Sequence, residues 1–174
     1  MDELVVRDAR PGDTTGIGEA HAEAWRVGFA DIFEPTDLAR LVGERRTTRW
    51  PTEMRAPGFA STTLLVAERT GTVEGFLHFG PERDAPHERM QIYSLSVHPL
   101  AWGGGTAVAL MDETLTRLAD RGHDDVHLWT YRDAGRARRF YEKAGFTPTG
   151  RAKDEGPAGG PPVVEVEYTR PTGP

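Results

Sequence analysis

The residues with the clearest chemical potential in this chain are glycines. In Val97-His98-Pro99-Leu100-Ala101-Trp102-Gly103-Gly104-Gly105-Thr106-Ala107, a β-type run over Met90–Val97 stops at a proline, and a glycine-dense turn then feeds an amphipathic helix. Glycines at a strand-to-helix turn leave successive backbone N–H groups uncovered at the positive end of a helix. Such a turn can take a phosphate or pyrophosphate. Two nucleotide-binding patterns are excluded. A Walker-type loop ends in Gly-Lys-Ser/Thr, whereas Gly105-Thr106-Ala107 has no lysine. A dinucleotide fingerprint belongs to the first strand–helix–strand unit, with an acidic residue about 20 residues on. Here the turn lies past mid-chain, and Asp124-Asp125 open a strand. What remains is an anion cradle for a phosphorylated cofactor.

The elements that must position this turn alternate along the chain. Residues 4–7 read as a first strand, and Asp13 can cap a helix with Ile17, Ala20, Ala24 and Val27 at helical spacing. Leu38, Leu41 and Val42 suggest a second helix running toward Trp50 and stopped by Pro51. Residues 62–69 and 72–79 flank Thr70-Gly71 and read as a hairpin. A polar loop, 80–88, leads into the strand over Met90–Val97. Val108, Met111, Leu115 and Leu118 form one face of the following helix, with Gly122 at its C-cap. A strand over 126–130, a short helix carrying Ala137, Phe140, Tyr141 and Ala144 and closed by Gly145, the segment 146–150, a Gly/Pro-rich loop through Pro162 and a strand over 163–169 complete the chain. The pattern predicts one mixed α/β (α+β) domain over residues 1–174, with helices on both faces of its sheet.

Bulk properties narrow the function. There is no cysteine, which removes disulfides, thiolate metal sites and cysteine nucleophiles, and no metal is expected. No apolar run approaches the length of a membrane helix, and Met1-Asp2-Glu3 lacks the features of a signal peptide, so the expected compartment is the cytoplasm. A net charge of −6 argues against nucleic acid as a partner.

A second motif lies some forty residues beyond the glycine turn: Ala137-Arg138-Arg139-Phe140-Tyr141-Glu142-Lys143-Ala144-Gly145-Phe146. Together the two resemble the signatures of the GNAT superfamily of acyl-CoA-dependent N-acyltransferases. The turn resembles that family's pyrophosphate loop, in which Gln or Arg is followed by two variable residues, Gly, one variable residue, and Gly or Ala. Gly105 and Ala107 fit, Gly103 matches a common extra glycine, and Trp102 replaces the Gln or Arg. Arg7-Asp8-Ala9-Arg10-Pro11-Gly12-Asp13 and His21-x-x-x-Trp25 are similar to the family's opening strand and first helix, so the resemblance spans essentially the whole chain. It implies a central, mostly antiparallel twisted sheet of about seven strands, about four helices on both faces, and splayed fourth and fifth strands.

The resemblance further implies acetyl-CoA as co-substrate, held by Leu95, Ser96 and Val97 of the splayed strand, by the turn from Trp102 through Gly103, Gly104, Gly105 and Thr106 to Ala107, and by Ala137 and Arg138. The family often has an Asn where this chain has Ala134. Tyr141 is the expected catalytic acid: a phenol is protonated at pH 7 and can supply a proton to a departing thiolate. The base is open. Gln91 stands where many relatives carry Glu, and it cannot take a proton. Glu74 and His78, placed on one strand face by period-2 alternation, and Glu82, His87 and Glu88 in the adjoining loop are candidates, each also readable as a solvated polar residue. Trp25 and Phe29, with His21, could line the acceptor pocket or simply fill the core.

The implied activity is transfer of an acetyl group from acetyl-CoA to a primary amine by direct attack in a ternary complex, since no nucleophile motif is present. The alternatives are an idle acyl-CoA-binding or sensing module and an acetyltransferase acting on a protein N-terminus or lysine. The expected partners are acetyl-CoA and a small amine, not a membrane, and a homodimer is compatible with the sequence.

Overall fold

The computed structural model describes residues 2–83 and 89–174. In chain order these form β1 (Leu4–Asp8), α1 (Thr14–Gly28), α2 (Pro35–Thr47), α3 (Arg49–Glu53), β2 (Thr63–Arg69), β3 (Thr72–Pro81), β4 (Met90–Val97), α4 (Thr106–Asp120), β5 (Asp125–Tyr131), α5 (Gly135–Lys143), β6 (Thr147–Asp154) and β7 (Val164–Pro171). One seven-stranded sheet runs in the order β1-β2-β3-β4-β5-β7-β6, antiparallel except for the parallel pair β4 and β5.

Alternation along β2 shows how the layers form. Leu65 and Ala67 face one core with Leu110, Met111 and Leu118 of α4 and Tyr141 of α5. Leu64 and Val66 face the opposite side, with Ile17 of α1 and Trp50 of α3. A third cluster joins Trp25 of α1, Leu38, Leu41 and Val42 of α2, and Tyr131 at the end of β5. The inner strand β2 is therefore apolar on both faces, as a sheet covered by helices on both sides requires, whereas the edge strand β6 is polar and exposed.

Two irregularities shape the centre. Val73 pairs with Glu68 while Gly75 pairs with Ala67, so Glu74 is the extra residue of a β-bulge. On β4, Ser94 pairs with His78 and Ile92 with Phe79, leaving Tyr93 as a second bulged residue. Beyond that bend β4 leaves β5: the two strands pair only at Gln91 with His127 and Ile92 with Leu128. Toward Val97 they diverge, which exposes one backbone edge of β4.

Several local expectations are corrected. Asp13 makes no side-chain cap to α1; its carboxylate turns back to the Arg7 guanidinium at 2.8 and 2.9 Å, which holds its pKa below the usual carboxylate range. Val27 and Val108 are exposed rather than buried. Pro51 does not stop a helix but sits in the first turn of α3, where a missing N–H costs nothing. With α3 separate from α2, the helices number five among the described residues. The C-terminal loop begins later than expected, because β6 continues to Asp154 through a bulge around Gly150.

Candidate active site

The glycine turn is built for open amides. Gly103 and Gly105 have φ of +80° and +86°, a left-handed conformation that side chains disfavour. The first bond of α4 runs from the Ala109 N–H to the Gly105 carbonyl (2.9 Å), so the N–H groups of Gly105, Thr106, Ala107 and Val108 have no acceptor within the helix. The Gly104 amide is spent inside the turn on the Ala101 carbonyl at 3.1 Å. Below the turn the Thr106 hydroxyl donates to Glu74 at 2.6 Å, and Arg69 donates to the same carboxylate at 2.9 Å. The Trp102 indole N–H donates to the Val97 carbonyl at 2.8 Å, which ties the turn to the end of β4.

A cavity of about 560 Å³ opens where β4 and β5 diverge. Leu95, Ser96 and Val97 form one wall. Trp102, Gly103, Gly105, Thr106 and Ala107 form one end, and Ala134, Ala137 and Tyr141 face them. Two predicted cofactor residues are not in the lining. Gly104 is folded into its turn, and Arg138 points away, donating to the Tyr168 hydroxyl and the Arg132 carbonyl at 2.9 Å each. The cations that do line the cavity are Arg136, Arg139 and Lys143. Their spacing, three and then four residues, puts them on one face of α5, whereas Arg138 sits about 200° around the helix from Arg136. The Arg136 guanidinium carbon lies 3.8 Å from the centroid of the Trp102 ring. The position where the loop lost a cation thus receives one from α5.

Tyr141 lines the cavity against Phe140 and Phe146, and burial pushes its phenol up to about 12. At neutral pH it holds its proton. Trp25 and Phe29 also line the cavity, their rings edge-on at 4.7 Å.

The other acceptor-side candidates are elsewhere. The bulge at Glu74 breaks the alternation, so Glu74 turns toward α4 while His78 faces α3 on the opposite side of the sheet. His78 is buried beside Trp50, Phe59 and Tyr93, hydrogen-bonds Thr62 at 2.8 Å, and is driven by desolvation down to about 3. His21 is buried too, its Nδ1 accepting from the Trp50 indole at 3.0 Å. Gln91 lies at the closed end of the β4/β5 split, where its side-chain oxygen accepts from the Arg83 N–H at 3.4 Å. None of these four lines the cavity. His87 and Glu88 lie outside the described residues.

A profile of the acetyltransferase (GNAT) family matches residues 25–146. The chain belongs to that family. A probable N-acetyltransferase of Mycobacterium tuberculosis is 28% identical over 94% of this chain and 91% of that protein. Mycothiol acetyltransferases are also similar: that of Brachybacterium faecium is 33% identical over 75% of this chain, which spans 39% of its length. Among solved structures, a PaiA N-acetyltransferase from Thermoplasma acidophilum in complex with coenzyme A superimposes with a TM-score of 0.74 at 17% identity, covering 95% of this chain and 98% of that one. An N-acetyltransferase from Staphylococcus aureus gives 0.72 at 20% identity over 98% and 99%. This GNAT chain therefore shares the fold of those enzymes along nearly its whole length.

Two clusters of buried polar groups in this GNAT chain escaped the sequence reading. His127, paired with Gln91, is fully buried, with Glu82 and Glu167 oxygens 3.3 and 3.1 Å from its ring nitrogens, neither aligned for a hydrogen bond. Glu167 is also held by Arg89 (2.8 Å), Arg151 and Thr149 (2.7 Å), so this knot ties β5, β6 and β7 to the segment before β4. The second group is Arg45 with Arg49. No linear spacing marks either group, since their partners come from separate elements.

Proposed function

We propose that this chain transfers the acetyl group of acetyl-CoA to a primary amine by direct attack in a ternary complex. The observation that carries the reading is the cavity itself, with open amides at one end and a buried, protonated phenol in its lining. The residues present suit acetyl-CoA. The amides of Gly105 to Val108 and the cations of Arg136, Arg139 and Lys143 match a pyrophosphate. The freed edge of β4 at Leu95 to Val97 offers backbone groups to the pantetheine arm, between apolar walls.

In this mechanism the amine nitrogen attacks the thioester carbonyl, a C–N bond forms and the C–S bond breaks. The ammonium first loses one proton to water; as the C–S bond breaks Tyr141 supplies its phenolic proton to the leaving sulfur, and the second proton shed by the nitrogen returns to the Tyr141 oxygen. The chain has no cysteine to form a covalent intermediate. The mycothiol acetyltransferase relatives extend well beyond the length matched here, so their acceptor is not carried over to this chain. The engagement of Gln91 with the Arg83 backbone favours a second reading, an idle acetyl-CoA-binding module.

Release of CoA from acetyl-CoA across a panel of amines separates the two. Turnover with at least one amine supports the transferase, and acetyl-CoA binding with no turnover supports the module. For the active enzyme, Tyr141→Phe should lower kcat by about 10²-fold or more with little change in KM. An unchanged kcat removes Tyr141 as the acid.

A further inference from the structure

Buried charges in folded proteins are paired, because an isolated one loses its hydration without compensation. On α1 and α2 even the exposed arginines are paired. Arg26 pairs with Glu23, Arg40 with Asp37 and Glu44, and Arg46 with Glu19 and Glu23. Arg45 does not. It is only 7% exposed, and no carboxylate among the described residues lies within ion-pair reach of it. One guanidinium nitrogen donates to the Leu41 carbonyl at 3.0 Å, while Nε is buried without a partner. Arg49, at the head of α3, also buries an unpartnered Nε. Carboxylates of the surrounding elements are engaged elsewhere: Glu44 with Arg40, Glu53 with Arg83, and Glu165 with the Gly156 N–H and Lys153.

Both cations act on the same interior. Buried His21 is held well below its ordinary value by desolvation and then by Arg45 and Arg49, and His78 by desolvation, Arg83 and Arg49. Desolvation brings Arg45 down only to about 10, so it is charged at neutral pH. Its guanidinium carbon rests 3.4 Å from the centroid of the Trp25 ring, and Trp25 in turn lines the cavity. The stack fixes the guanidinium plane before any ligand arrives, which reduces the ordering cost of binding.

We propose that Arg45 and Arg49 form an oxyanion-binding subsite for the acceptor, so that the amine used by this chain also carries a carboxylate or phosphate. The proposal rests on the transferase reading for its acceptor, on the buried, unpaired Arg45 guanidinium and the half-buried Arg49 for its charge, and on Trp25, which joins Arg45 to the wall of a cavity that neither arginine itself lines. Arginine suits the role because its planar fork can donate two parallel bonds to one oxyanion.

Matched acceptors test it on the full chain with saturating acetyl-CoA: 2-aminoethyl phosphate against ethanolamine, and 4-aminobutanoate against butylamine. At least one anionic amine should exceed its neutral counterpart about tenfold or more in kcat/KM, chiefly through KM, and which one does so assigns phosphate or carboxylate. The preference should vanish in Arg49→Gln and in Arg45→Met. Equal use of neutral and anionic amines, or a preference that survives both substitutions, overturns the proposal.

A binding arm keeps the test independent of turnover. Inorganic phosphate or acetate should raise the melting temperature of the acetyl-CoA-bound wild type more than that of either variant. Without added anion, Arg45→Met should melt at or above the wild type, since it removes an unpaired buried charge. A lower melting temperature for Arg45→Met, with equal anion protection in all three proteins, makes Arg45 purely structural and overturns the subsite. If no amine is turned over, the transferase reading fails and this arm alone decides the subsite.

Discussion

The Arg136 guanidinium lies over the Trp102 ring at 3.8 Å, joining α5 to the glycine turn across the cavity. The indole is itself anchored through its N–H to the Val97 carbonyl. Backbone of β4, side chain of the turn and cation of α5 therefore form one continuous stack, and each part fixes the next.

Breaking that stack should weaken acetyl-CoA binding and leave the chemical step nearly intact. Arg136→Gln and Trp102→Leu should each raise KM for acetyl-CoA about tenfold, the scale of one lost charge-assisted contact of about 1.5 kcal/mol, with kcat within about twofold. Trp102→Arg should keep KM near wild type, because it returns a cation to the turn directly. Steady-state kinetics decide this, and unchanged KM in the first two variants would contradict it.

Gly105→Ala tests the turn. No atom lies within 4 Å of the added methyl group, so its penalty is conformational rather than steric. A left-handed φ of +86° should cost about 1–2 kcal/mol, read as a lower melting temperature together with weaker acetyl-CoA binding by calorimetry. Wild-type values for both would show that the turn relaxes freely.

Acidification should destabilise the fold through its buried histidines. The unfolded chain protonates His78 near the ordinary 6.5, whereas the folded chain refuses that proton until about 3, because desolvation opposes the charge. The unfolded state binds more protons throughout that window, so stability falls as pH drops from about 6.5 toward 3. His21 adds to this in the same direction. Urea midpoints at pH 7 and 4.5 should differ less in His78→Gln than in the wild type. Identical pH dependence would remove His78 as a contributor.

The lining of the cavity was largely legible in sequence because it is local. The runs Trp102 to Ala107 and Ala137 to Lys143 supply most of one end and the wall facing it, and Tyr141, Trp25 and Phe29 all reach the cavity. Errors arose where one residue changed the phase. The bulge at Glu74 sent Glu74 and His78 to opposite faces, and period-2 counting cannot see a bulge. Of the arginines of α5, Arg138 points away from the cavity, and i, i+3, i+7 counting from Arg136 separates it from Arg139 and Lys143. Arg45, Arg49 and His127 were invisible for a different reason. Their significance lies in partners that are missing or come from distant strands, and a linear sequence displays neither.

The seam between β4 and β5 carries a mechanical implication. Four strands, β1 to β4, lie on one side and three on the other, stitched by two residue pairs at Gln91 and Ile92. Under tension, or in a brief excursion from the native state, the sheet should tear first along this line, as two leaves opening from their free edge. A molecule wedged between the leaves would act as mortar, and the backbone amides lining the seam would exchange their hydrogens more slowly once it is seated.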